Sequence, residues 1–138
     1  MPKRRRGSRL APRRSRAQHV RFDILVDRAV AGIPQPFRSV LGTEVALVIA
    51  DDPSPEQRRE NGLRSDETLY GLYEGVPRSE WGADWAPFPT RITLFRMPLE
   101  EDFPDPEDLA DEVRITVLHE LAHHLGIDED RLAELGID

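Results

Sequence analysis

The strongest pattern of apolar and polar positions in this chain lies near its end. Between Pro106 and Leu125 the residues Val113, Val117, Leu118, Leu121, Ala122 and Leu125 recur at helical spacing. Steps of about 100° per residue gather them on one continuous arc and put His119 and His123 on the opposite side. Asp105 is a fitting N-cap, Pro106 suits the first helical position, and Glu107 and Asp108 place acids in the first turn. Gly126 stands where a left-handed residue ends a helix. The pattern therefore predicts one long helix, its first half (Leu109, Val113) buried against a sheet. A short last helix over Glu129–Leu135, stopped by Gly136, is expected to follow.

Upstream, Phe22, Leu25, Val26, Ala29, Val30 and Ile33 mark an amphipathic helix that Gly32 and Pro34 end. A helical turn is expected around Pro36–Leu41. Thr43–Ala50 is rich in β-branched residues and reads as a strand apolar enough for the centre of a sheet. The stretch from Asp51 to Thr68 is polar, holds two prolines and Asn61-Gly62, and reads as a solvated loop. Leu69–Tyr73 is a second strand and Arg91–Met97 a third. Between them a Gly/Pro loop carries Trp81, Trp85 and Phe88, which either cover the edge of the core or line a substrate cleft. The fold class expected is α+β, with about three strands packed on an N-terminal helix and the histidine-bearing helix.

Composition and charge divide this picture in two. The 138 residues suffice for one domain with a modest core. Nine of the nineteen Lys and Arg fall in residues 1–21, which hold no acid; the remainder carries ten bases against 26 acids. An acidic domain, residues 19–138, thus follows a basic tail, residues 1–18, with almost nothing to bury and an expectation of disorder. The tail suits contact with nucleic acid or an anionic surface, but no aromatics interleave with its bases, and a solvated tail is the simpler reading. There is no cysteine, which excludes disulfides and thiolate zinc sites. No apolar run is long enough for a membrane span, and the basic start lacks the apolar core of a signal peptide, so a cytoplasmic protein is expected.

The chemistry sits on the long helix. His119-Glu120-Leu121-Ala122-His123 is an H-E-x-x-H sequence. Residues i and i+4 lie one above the other on a helix face, so the two imidazoles can share one ion. Glu120, about 100° round the helix, stands beside such an ion, where its carboxylate can take a proton from a bound water. Three of the four histidines fall in this helix. The alternative, a surface helix with solvated histidines, agrees less well with the paired spacing and the Gly126 stop.

These residues also carry a resemblance. His119, Glu120, His123 and Gly126 match H-E-x-x-H-x-x-G of the zincin superfamily of metallopeptidases. The run from Asp111-Glu112-Val113-Arg114 to Leu135-Gly136 resembles the small bacterial zincin-like metallopeptidases, or mini-zincins, as do residues 69–77 and 91–96. The resemblance covers roughly residues 20–136 and implies a compact zincin core, a single zinc ion and peptide-bond hydrolysis. It also implies a third metal ligand at position 129, where the larger relatives carry His or Asp and the small family Asp. This chain has Glu129, flanked by Asp128 and Asp130. Glutamate is a legitimate zinc ligand, but its extra methylene moves the oxygen by about one bond length. Glu129 reaches the ion, a neighbouring Asp replaces it, or the third site is imperfect. Met97 precedes the motif and no methionine follows it, which argues against the metzincins proper.

The mechanism so implied has His119, His123 and Glu129 on zinc and Glu120 as general base towards a peptide or protein substrate. Tyr70, Tyr73, His124 and Arg131 are candidates for oxyanion stabilisation, and His124 reads as a residue behind the ligands or on the surface. Two rival functions stand beside this one: a zincin scaffold that binds a partner with weak or no metal, and a nucleic-acid-associated protein acting through its tail.

Overall fold

The computed structural model describes residues 3–5, 16–75, 78 and 90–134. It is a mixed α/β structure in which one small sheet backs onto helices. The first helix, α1 (Arg16–Ala31), turns Phe22, Val26 and Ala29 into the core and closes with the Gly32 amide donating to the Ala29 carbonyl. It begins six residues before Phe22, because Arg16, Ala17, Gln18 and Arg21 favour helix and need no apolar face to do so. A single turn, α2 (Phe37–Val40), buries Phe37 and Val40.

Three strands form the main sheet: β2 (Val45–Ala50), β4 (Gly71–Glu74) and β5 (Thr90–Phe95). Their order is β2-β5-β4, with β5 parallel to β2 and antiparallel to β4. The central strand is therefore β5, and the expectation that Val45–Ala50 lies centrally is corrected. Its apolar run hides an alternation: Val45, Leu47 and Ile49 join the main core, whereas Val48 on the other face is 40% exposed. On β5 the same alternation sends Ile92 and Leu94 into the main core. Phe95 instead joins Leu69 and Leu72 in a second cluster on the far face, closed by Ala50 and Leu63.

Two helices were hidden in segments that read as loop and strand. The expected loop at 51–68 contains α3 (Pro55–Glu60), started by a capping box. The Gln57 amide donates to Ser54 Oγ at 3.0 Å, and the Ser54 amide to Gln57 Oε1 at 2.9 Å. Four charged residues in six give that helix no apolar stripe, so periodicity could not reveal it, although Ser54-Pro55-Glu56-Gln57 did carry the signal. The third strand ends at Phe95 rather than Met97, and α4 (Arg96–Asp102) follows at once. Pro98 sits in its first turn, where a missing N–H costs nothing. Arg96 anchors the junction by ion pairs to Asp51 and, at 3.3 Å, to Asp23.

The long helix α5 (Pro106–His124) runs almost as expected, with Asp105 accepting from the Glu107 and Asp108 amides. Val113, Val117, Leu121 and Ala122 are fully buried. It packs chiefly along α1, with Leu109 beside Phe22 and Leu25, and meets the sheet mainly at β4. Leu109 and Val113 are buried in the main core that α5 shares with α1 and the sheet. The last helix, α6 (Glu129–Glu134), buries Leu132.

A second, two-stranded sheet involves the tail. β1 (Arg4–Arg5) pairs antiparallel with β3 (Glu67–Thr68), with Arg4 opposite Thr68 and Arg5 opposite Glu67. Lys3 Nζ donates to the Gly62 carbonyl at 2.9 Å. Lys3–Arg5 are held by a backbone ladder and by cation contacts, neither of which needs the apolar face whose absence predicts disorder for residues 1–18. The aromatic loop residues Trp81, Trp85 and Phe88 lie outside the described residues.

Close packing of β4 on α5 depends on Gly71. A Cβ there would meet the Thr116 side chain at 2.8 Å and the Thr93 carbonyl at 3.2 Å. Gly71→Ala is expected to cost about 1–3 kcal/mol of stability in denaturant unfolding. Gly32→Ala, whose Cβ would meet nothing nearer than 3.5 Å, is the matched control and is expected to cost less.

Candidate metal centre

The end of α5 is what aims the site. Gly126 adopts φ 74°, its amide donates to the His123 carbonyl at 3.1 Å, and the Ile127 amide donates to the Ala122 carbonyl at 2.8 Å. These are the two bonds of a Schellman closure, with Ile127 packed on the core beyond it. The chain then turns back, and Asp128 Oδ1 accepts the Arg131 amide at 2.8 Å to cap α6. The turn leaves a cavity of about 430 Å³ lined by His119, Glu120, His123, Gly126, Ile127, Asp128, Glu129 and Leu132.

All four site residues expected from sequence therefore line one cavity, but in different ways. His119 is half-buried, and its Nε2 is buried without a hydrogen-bond partner among the described residues. A buried imidazole nitrogen in that state carries a desolvation cost that a ligand would relieve. His123 is exposed. Glu120 is 4% exposed, and burial raises its pKa. Glu129 is exposed in the first turn of α6, and no group of three or more His, Asp or Glu converges closely enough for a metal ion among the described residues. Asp128, an alternative third ligand, is engaged as the α6 cap, and Asp130 does not line the cavity.

Behind the histidines stands a polar network that sequence periodicity reached only in part. The Tyr73 ring stacks on His123, with centroids 5.0 Å apart and planes inclined by 22°. The Tyr73 hydroxyl lies 2.7 Å from His124 Nδ1, and His124 Nε2 lies 3.2 Å from Glu44 Oε1. A carboxylate only accepts, so Nε2 donates to Glu44, and Nδ1 of a neutral ring then accepts from the Tyr73 hydroxyl. Arg78 Nε donates to the same Glu44 oxygen at 2.9 Å. Arg78, partly offset by burial and aided by His124, holds the Glu44 carboxyl below its ordinary range. His124 is 0% exposed, so it is not a surface residue. Its helical position, three residues after Leu121 and seven after Val117, is the sequence signal for that burial. Glu44 carried no such signal; it is eighty residues away and enters only through the fold.

The other oxyanion candidates are placed elsewhere. The Tyr70 hydroxyl donates to Asp102, and burial together with that carboxylate pushes its pKa well above the ordinary range. Tyr70 also meets Phe103 edge-on at 5.6 Å. Arg131 is exposed and paired with Glu134 at 2.9 Å. Tyr73 is the candidate whose ring lies against a histidine of the cavity wall, His123.

Replacing His124 removes a buried partner from two groups at once. His124→Leu is expected to cost about 2–4 kcal/mol in denaturant unfolding. A double-mutant cycle with Tyr73→Phe is expected to show coupling of about 1 kcal/mol between the two.

No curated protein matches the chain. Among solved structures, a conserved hypothetical protein from Thermo thermophilus is 26% identical and superposes with a TM-score of 0.50, over 87% of this chain and 99% of that one. A family model described as zincin-like metallopeptidase matches residues 43–137, which span the sheet, α5 and the turn that closes the cavity. The chain belongs to the zincin-like metallopeptidase family.

Proposed function

We propose that the protein is a zinc-dependent peptidase. The observation that carries this reading is the buried His119 Nε2, without a hydrogen-bond partner among the described residues, in one cavity with His123 and Glu120. Imidazole nitrogens with a carboxylate are the donor set that zinc prefers in a catalytic site. His119 and His123 would hold the ion, with Glu129 as the third donor from across the Gly126 turn. When bound, zinc supplies a water of lowered pKa and a Lewis acid for the scissile carbonyl. Glu120, buried and therefore a stronger base than an exposed glutamate, accepts the proton from the attacking water and returns it to the leaving amine nitrogen. Tyr73 fixes the plane of the His123 ring by stacking, while its hydroxyl is tied to His124. The substrate in this reading is a peptide or protein and the setting cytoplasmic, where a chain without cysteine loses no cross-link to reducing conditions. Among the described residues no helix is long and apolar enough to cross a membrane.

A second reading, a binding module on a zincin scaffold, is favoured by one observation. Glu129 is exposed, and among the described residues it does not converge with the histidines into a ligand cluster. Metal analysis and zinc titration separate the two. The peptidase reading expects about one zinc per chain, lost in His119→Ala and His123→Ala but retained in Glu120→Gln, which abolishes hydrolysis of a casein substrate. Glu129→Ala is expected to weaken zinc binding with the fold intact, and Glu129→Asp to preserve it. A chain that takes up no zinc, or a Glu120→Gln variant that loses it as fully as the histidine variants, overturns the assignment.

A further inference from the structure

Along the polar face of α5, Glu112, Thr116, His119 and His123 follow one another at spacings of four, three and four residues, so they form a single stripe. Beyond the upper end of that stripe lies the amino-terminal segment. The Arg4 guanidinium lies 4.8 Å above the centre of the Tyr70 ring and acts electrostatically on Glu112, whose carboxylate also accepts the Thr116 hydroxyl at 3.4 Å. The backbone of Arg4 and Arg5 is paired with Thr68 and Glu67, and Arg5 Nε lies 3.8 Å from Asp66. An extended segment is thus read in three ways at once: by a strand ladder, by a ring face with the Glu112 charge in electrostatic range for one arginine, and by an acid for the next. The antiparallel register runs this segment, towards its own amino end, from Thr68 in the direction of Tyr70 and β4. β4 carries Tyr73, the residue stacked on His123.

We propose that the Glu67–Tyr70 edge with Glu112 is a docking site for extended, arginine-bearing peptide, which the chain's own Lys3–Arg5 fills as an intramolecular competitor. The ladder gives affinity without sequence preference, and the ring face with the Glu112 charge supplies the preference, as a ring near a carboxylate does for a cation. Arginine suits it better than lysine, because a planar guanidinium can stack on Tyr70 and still address Glu112. A tethered segment meets its site at an effective concentration of the order of millimolar, so even a weak own-tail contact holds off a free peptide. That the docked peptide is a substrate rests on the peptidase reading; the docking itself requires neither zinc nor hydrolysis.

The test is fluorescence anisotropy with a labelled peptide Pro-Lys-Arg-Arg-Arg, a copy of residues 2–6, added at near-physiological salt to full-length chains. Substituting Lys3, Arg4 and Arg5 together by Ala is expected to tighten binding of the added peptide about tenfold relative to the native chain. Adding Glu112→Gln or Tyr70→Leu to that triple variant is expected to abolish the gain, and circular dichroism checks that each variant is folded. A peptide with citrulline in place of the arginine matching Arg4 is expected to lose the gain as well. Equal binding by the native and triple-variant chains overturns the proposal. So does a gain that survives citrulline or Glu112→Gln, since that is only the attraction of an acidic domain for a basic peptide. Failure of zinc uptake or of casein hydrolysis leaves these binding results standing, so the two readings fail separately.

Discussion

Burial of one stripe of α5 governs everything at the site. Val113, Val117 and Leu121 are fully buried, and a straight helix that commits those positions to the core has no freedom left in where the others go. His119 and His123 are carried to the cavity, Glu120 to its buried wall, and His124 into the core, by rotation of about 100° per residue. Removing such side chains from water stabilises by roughly 1.5–3 kcal/mol each. The hydrophobic effect therefore sets the orientation of the polar chemistry, and the Gly126 turn has only to bring the following residues back over it.

The same physics explains what could be read before the structure and what could not. The α5 helix was legible from end to end because its caps and its periodicity are local: Asp105, Pro106 and Gly126 mark its limits, and the apolar arc marks its buried face. The α+β class was legible for the same reason, and the zincin family through the resemblance of His119, Glu120, His123 and Gly126 to its motif. The fold agrees with the first and the family match with the second. Strand position was not legible. Val45–Ala50 looked central by composition, and its place at the edge depends on β5, which begins 45 residues after β2 does. The short helix α3 was hidden by its charge, which erases periodicity, and only Ser54 and Gln57 identified it.

At the site the boundary is similar. The His119, Glu120 and His123 constellation is a property of one helix and needed no fold to be seen. Tyr73, Glu44 and Arg78 are brought to His124 by three separate segments, and no spacing in the chain announces them. Lys3–Arg5 likewise gain their partners only where Gly62, Glu67 and Tyr70 come together. A basic segment reads as solvated whenever its acidic and aromatic partners are remote in sequence.

The His124 ring has a mechanical consequence. It is bonded at both nitrogens, on one side to a strand residue and on the other to Glu44 at the entry of β2. A ring pinned at two edges acts as a key in a slot: α5 cannot roll about its axis without breaking both bonds. Since His119 and His123 ride on that helix, their angular setting is locked from behind. The pin also makes Tyr73 a common joint between the His123 ring and the lock, so a disturbance on either side of that phenol is felt on the other.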